Sequence, residues 1–474
     1  MPITAWSQLS GSPRWWSSRA DVWNVAATTS ARDNDVTPRA IAAWDSQDGT
    51  TTRVTQGTAA SQPYFVGGNR ASPFPRIEFN PSAISGGNQG LGTASGQTLG
   101  NRSHTALFVL DMANWQEVMS AIRGGGSVGT VGGFGIRTGR VIALSAGSAP
   151  AFTGSNCSPA IQVPTNRQIL VARFGDGTTD PNFTVWTGLR KSASATLDAA
   201  NGTSATTAFG AVGSGATNAS FTGGMYQAVL ATAAWTDAEV ADAINYAAGL
   251  WDIDPDPDYN FVVIGDSLSS SGPTTGGSGG ITMLNNQTWV RIFSDMLDGG
   301  GRHSLYNRAT SSLTCDTANS EWATRGAPSF VAGKTNIFIA WIGTNDIAGG
   351  ATEAQVATRI TTLCANARAA GASKIIVCNA IPRSGFNTTI NAWNALLAAN
   401  YQAYGANAIV DLNSLFFATQ GYATPTLNPQ WYITADQTHI TPEAMGVVAS
   451  EVLKVVRPFV TSRGGAIRPV ASFF

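Results

Sequence analysis

The chain has 474 residues, of which 43% are hydrophobic and 12% charged, and its formal net charge is −1. That composition describes a globular protein of two or three domains, each long enough to bury its own core, and excludes a disordered chain. The near-zero charge offers no electrostatic footprint for nucleic acid or an anionic membrane, and no run approaches the ~20 apolar residues that insert across a bilayer.

Residues 1–10 lack a basic stretch followed by an apolar core, so no signal peptide is expected. That leaves a cytoplasmic protein, or one that reaches the outside by lysis or within a particle. Residues 1–251 read as β-rich. Alternating apolar and polar runs at 76–79, 105–111, 168–174, 182–189 and 224–230 are separated by Gly, Ser, Thr and Asn clusters. Period-2 alternation predicts antiparallel strands with one face in water, and so many strands predict an all-β sandwich or jelly roll. The same residues hold nine of the 14 tryptophans, which either fill a core or stack on sugar rings. Thr236 and Glu239 form a T-x-x-E capping box that opens a helix, with Val240, Ile244 and Ala248 on one face. Residues 252–258 alternate Pro and Asp, which suits neither helix nor sheet, and are assigned as a linker.

The pattern changes over residues 259–461. Phe261-Val262-Val263-Ile264 is a continuous apolar run, as expected of a strand buried on both faces, and residues 337–342, 375–378 and 408–410 repeat it. Helical segments alternate with these strands. In residues 351–370, Val356, Ile360, Leu363, Cys364 and Ala367 share a face, and Thr441 with Pro442 opens the last helix. Strand–helix alternation predicts a doubly wound parallel sheet, with any site at the carboxyl ends of the strands. Residues 269–280 are rich in Gly, Ser and Thr but lack the Lys of a phosphate loop, so they read as a loop at the rim of the cleft. Residues 462–474 read as a C-terminal tail. Cys157, Cys315, Cys364 and Cys378 lack zinc spacing and are expected as buried, reduced thiols.

Three short blocks carry chemistry. Gly265-Asp266-Ser267-Leu268 ends the first apolar strand and would present a serine hydroxyl and a backbone N–H to the cleft. Gly343-Thr344-Asn345-Asp346 ends another, where an Asn amide can donate to developing negative charge. Asp436-Gln437-Thr438-His439 precedes the last helix, and a carboxylate there can fix the imidazole tautomer. The chain has only three histidines, so a base in this position is informative. Of the other two, His303 is expected to be structural and His104 has no evident catalytic partner. Asp266 is expected to stabilise the turn around Ser267, and Arg383, after the fourth strand, either to lie at the surface, the favoured reading, or to reach a substrate.

These blocks resemble the GDSL/SGNH hydrolase family over residues 259–459. The resemblance implies a three-layer, flavodoxin-like α/β fold with a parallel five-stranded sheet and no cofactor or metal. It implies Ser267 as nucleophile, His439 as base and Asp436 as the third member. The oxyanion hole would comprise the N–H groups of Ser267 and Ser312 and the Asn345 amide, with Asp266, Gly343 and Asp346 in support. The family's second block is N-x-x-x-x-G-x-T, and here Ser312 replaces the Gly in Asn307-Arg308-Ala309-Thr310-Ser311-Ser312-Leu313-Thr314. The donor survives if Ser312 adopts the positive φ that glycine tolerates best.

Residues 1–251 resemble the concanavalin A-like lectin/glucanase superfamily, including laminin-G-like domains. The resemblance lies in Ala43-Trp44-Asp45, residues 55–63, the 76–79 strand and residues 226–251. Joined to an SGNH esterase, it implies an O-acetylated polysaccharide or other ester as substrate, in a bacterial carbohydrate esterase or a phage tail fibre or spike. A homo-oligomer or a virion protein is compatible as partner. The alternatives are a glycan-binding protein without turnover, or a lipase or thioesterase.

Overall fold

The computed structural model describes residues 3–19, 22–23, 39–40, 43–45, 47, 53–55, 62–66, 74–79, 91–92, 103–112, 119–124, 133–137, 140–144, 161–175, 182–196, 207–209, 221, 223–270, 288–418, 431–432 and 437–460. Asp436, Cys157, residues 271–280 and the tail from 462 onward lie outside them. The chain divides into two compact units, Met1–Asp256 and Pro257–Phe474.

The first unit carries two antiparallel sheets. At the centre of one, His104–Met112 pairs with Gln168–Phe174 on one side and Gly223–Ala231 on the other, with Phe108 opposite both Leu170 and Ala228. Alternation sends Phe108, Leu110, Leu170 and Phe174 into one core, which also takes Trp44 from the second sheet. The opposite face is not wet, contrary to the expectation from sequence. Leu107, Val109, Ile169 and Val171 pack there with Val240, Ile244 and Trp251 of the helix Asp237–Trp251. The polar residues that read as solvent-facing find partners inside: the Thr105 hydroxyl donates to Ala233 O at 2.9 Å, and the Tyr226 hydroxyl to Asp111 at 2.6 Å. The helix opens on the expected capping box, with Glu239 N–H donating to Thr236 Oγ1 at 3.2 Å and Thr236 N–H to Glu239 Oε2 at 2.8 Å.

The tryptophans described in this unit belong mainly to its interior. Trp44, Trp235 and Trp251 are fully buried, and Trp6 and Trp186 nearly so. Each of the first three indoles donates inward, to Ser17 O, Ser10 O and Gln227 Oε1, which is how a buried indole avoids an unsatisfied N–H.

The second unit has strands β1 (Tyr259–Gly265), β2 (Ser304–Asn307), β3 (Thr335–Trp341), β4 (Ala372–Cys378) and β5 (Ala408–Val410), all parallel, in the order β2-β1-β3-β4-β5. Its helices are α1 (Trp289–Asp298), α2 (Cys315–Ser320), α3 (Trp322–Arg325), α4 (Thr344–Ala348), α5 (Glu353–Ala369), α6 (Asn387–Asn400), α7 (Leu412–Ala418) and α8 (Pro442–Val456). The continuous apolar runs are explained by two cores. Phe261, Val263, Ile339 and Ile376 pack with α1 and α8, while Val262, Ile264, Phe338 and Ile375 pack with α5 and α6. Burying a large aliphatic or aromatic side chain contributes roughly 1.5–3 kcal/mol, so a sheet with both faces covered is strongly held. From β1 the chain moves to β2 on one side, and β3 then lies on the other. The ends of β1 and β3 therefore form a topological switch point, where α/β sheets hold their ligands. Cys315, Cys364 and Cys378 are free and buried. Among the described residues, no helix is long and apolar enough to cross a membrane.

Candidate active site

β1 ends at Gly265, and the chain folds back on itself immediately. A Cβ at this position would lie 2.4 Å from Ser269 Oγ and 2.9 Å from Trp341 O, so only glycine fits the turn. Ser269 cannot yield, because its hydroxyl accepts from the Trp289 indole at 3.1 Å. The N–H groups of Ser269 and Ser270 donate to Asp266 O, forming a helical turn with half-buried Ser267 at its start. His439 Nε2 lies 2.8 Å from Ser267 Oγ, across 172 residues of sequence. Gln437, just before it, has φ 50°, so the chain turns sharply into the histidine. Thr441 then caps α8, with Ala444 N–H donating to its hydroxyl at 3.3 Å and Pro442 at the first helical position.

Asp266 stabilises this turn as expected. Its Oδ1 accepts from Leu268 N–H at 3.0 Å, while its buried Oδ2 has no partner among the described residues. Burial pushes its carboxyl up to about 7; Leu268 N–H and the Arg383 guanidinium oppose this, and the Asp346 carboxylate adds to it.

The second block is tied to the first. Asn307 Nδ2 donates to Ser269 O at 2.8 Å, and Thr310 N–H to Gly265 O at 3.0 Å. Leu313 N–H donates to Thr310 O at 3.1 Å, closing a turn whose third residue, Ser312, has φ 63°. Serine thus takes the left-handed conformation that a type II turn reserves for glycine. Ser312→Gly is expected to leave stability within about 1 kcal/mol, because relief of left-handed strain (~1–2 kcal/mol) is largely offset by glycine's greater unfolded-state entropy. Ser312→Val, β-branched at positive φ, should cost about 2 kcal/mol. Urea denaturation of the three proteins checks this, and a valine variant as stable as the parent would count against it.

The third block sits at the end of β3. Gly343 has φ 119°, and a Cβ there would press on Val356 Cγ1 at 3.2 Å. The Asn345 amide, half-buried, donates from Nδ2 to Leu313 O at 3.2 Å, which brings it to the Ser312 turn. Asp346 is buried. Its Oδ2 accepts from Cys315 N–H at 2.8 Å and its Oδ1 from Arg359 at 2.9 Å. Burial raises the Cys315 thiol well above its usual range, with the Asp346 and Asp266 carboxylates adding to the effect, so it is no nucleophile.

The structure corrects one expectation and adds a contact to another. Arg383 is not a surface residue: half-buried, it places Nη1 3.3 Å from both Thr344 O and Asn345 Oδ1. Its position after a strand marked it in sequence as able to reach the site, but nothing local pointed to Asn345. His303 is structural, as expected, but it stands between Ser294 Oγ at 2.9 Å and Asp298 Oδ2 at 2.7 Å. These are the residue types of a catalytic triad, yet Ser294 is completely buried within α1. His104 stacks on Phe174 in the first unit, at 4.3 Å between ring centroids. Among the described residues, no group of three or more His, Cys, Asp or Glu could hold a metal ion.

Residues 263–447 match the model of the GDSL-like lipase/acylhydrolase family, and the second unit therefore carries a domain of that class. No curated protein matches the chain. The solved structures similar to the chain include the following three. TesA is 21% identical over 42% of this chain and 99% of its own, with a TM-score of 0.33. An acetyl-xylooligosaccharide esterase of Geobacillus, Axe2, is 15% identical over 44% of this chain and 97% of its own, with a TM-score of 0.35. A lipolytic protein of the G-D-S-L family from Veillonella parvula is 16% identical over 42% of this chain and 98% of its own, with a TM-score of 0.33.

Proposed function

We propose that the second unit is a serine esterase that removes O-acetyl groups from a polysaccharide. The observation that carries this reading is the 2.8 Å contact between Ser267 Oγ and His439 Nε2 at the switch point of a parallel sheet. His439 takes the serine proton, Oγ attacks the ester carbonyl, and the oxyanion is met by the N–H groups of Ser267 and Ser312 and the Asn345 amide. Protonated His439 then hands its proton to the sugar oxygen as its bond to the acyl carbon breaks, leaving acetyl on Ser267 Oγ, and water, activated by the same imidazole, releases acetate and restores the serine. Asp436 is assigned to hold the imidazole. No cofactor enters these steps. Support for a neutral glycan comes from the near-zero net charge and from the β-rich first unit. On this reading the chain works outside the producing cell, on a virion or another surface that meets bacterial polysaccharide.

Acetate release from acetylated capsules, O-antigens and xylans, together with an acyl-length series of aryl esters, tests the proposal. The expected result is a preference for acetyl over longer chains, and no release by Ser267→Ala. Equal hydrolysis by parent and Ser267→Ala removes the mechanism. A preference for long chains replaces the substrate with a lipid or thioester, and glycan binding without turnover makes the chain a binding protein.

A further inference from the structure

The loop after β4, residues 379–386, touches both sides of the site. On one side the buried Tyr432 hydroxyl donates to Pro382 O at 2.8 Å, and Tyr432 itself bridges to Ile440 beside His439. On the other side Arg383 reaches the Asn345 turn. The backbone of Arg383 is fixed independently, since its N–H donates to Asn387 Oδ1 at 2.8 Å at the start of α6.

A primary amide can be turned over with little change of shape, exchanging its acceptor oxygen for its two donors. For Asn345 the two neighbours distinguish the orientations. Oδ1 faces a guanidinium, which can only donate, and Nδ2 faces the Leu313 carbonyl, which can only accept. The turned-over amide would set N–H against N–H and oxygen against oxygen. We propose that Arg383 is a positioning residue that locks the Asn345 amide with its NH2 group on the oxyanion side. One Asn345 N–H is held by Leu313 O, and the other has no partner among the described residues and is left for the oxyanion. The inference rests on the esterase reading given above and deepens it. In this role Arg383 acts through Asn345.

The test is a double-mutant cycle read in kcat and KM on an aryl acetate. Arg383→Met is expected to lower kcat about tenfold with KM within about twofold, the scale of losing one hydrogen bond to a charged group. In an Asn345→Ala background the same change should cost less than about twofold, because nothing remains to be positioned. Arg383→Lys, still able to donate to Oδ1, should recover to within about threefold of the parent. Arg383→Gln serves for the comparison if the Met variant folds poorly, as judged by its melting midpoint. An equal loss in both backgrounds, or a raised KM with kcat kept, overturns the role of Arg383 and leaves the esterase reading intact. A parent protein that neither releases acetate nor takes up a fluorophosphonate at Ser267 overturns both.

Discussion

Replacing His439 with alanine is expected to lower kcat on an acetate ester by about 10⁵- to 10⁶-fold, and Ser267→Ala by a similar factor. A serine hydroxyl at neutral pH is almost entirely protonated and reacts only if a base removes its proton as the bond to carbon forms. With His439 Nε2 at 2.8 Å that base is in place; without it, water must serve. The two residues act as one unit, so the double variant should fall no further than either single one. Initial rates of the three variants on an aryl acetate decide the matter. Multiplicative losses, or a His439→Ala rate within tenfold of the parent, would sink the assignment.

Asp266→Asn is expected to stabilise the protein, by an amount that depends on pH. The Asp266 carboxyl is held at about 7 in the fold, above its ordinary value, because burial disfavours the charged form. A raised carboxyl works against folding wherever the unfolded chain is ionised and the folded one must either keep a proton or bury a charge. Below the ordinary value both states are protonated and there is no penalty. As pH rises from about 4 to about 7 the penalty grows, and above that it is constant. A shift of this size corresponds to roughly 4 kcal/mol at 1.36 kcal/mol per unit, as an order of magnitude. Asparagine keeps an acceptor for Leu268 N–H and carries no charge. The stability difference between variant and parent should therefore be small near pH 4, grow by a few kcal/mol, and level off above pH 7. Urea titrations at pH 4.5, 6 and 8 measure it; a difference that does not change with pH would refute the account.

What could be read from sequence followed physical rules of different reach. β1 and β4 were legible because a strand covered on both faces needs an unbroken apolar run, and Phe261-Val262-Val263-Ile264 is one. The Ser267 and His439 blocks were legible through their resemblance to a family, since no local rule joins residues so far apart. The covered second face of the first sheet was not legible. Thr105, Asp111 and Gln227 alternate with apolar residues as if facing water, but their partners lie in distant segments. The contact of Arg383 with Asn345 was not legible for a similar reason: Asn387, four residues on, fixes its backbone, but the Asn345 turn that meets its side chain lies 38 residues away.

The span between Ser267 and His439 has a consequence for the nascent chain. The serine's turn rests on β1 and its neighbours β2 and β3, whereas the imidazole is held at the start of α8, which packs through Ala444, Met445 and Val448. On the esterase reading, a nascent chain in which residues 439–456 are not yet made carries the serine without its base.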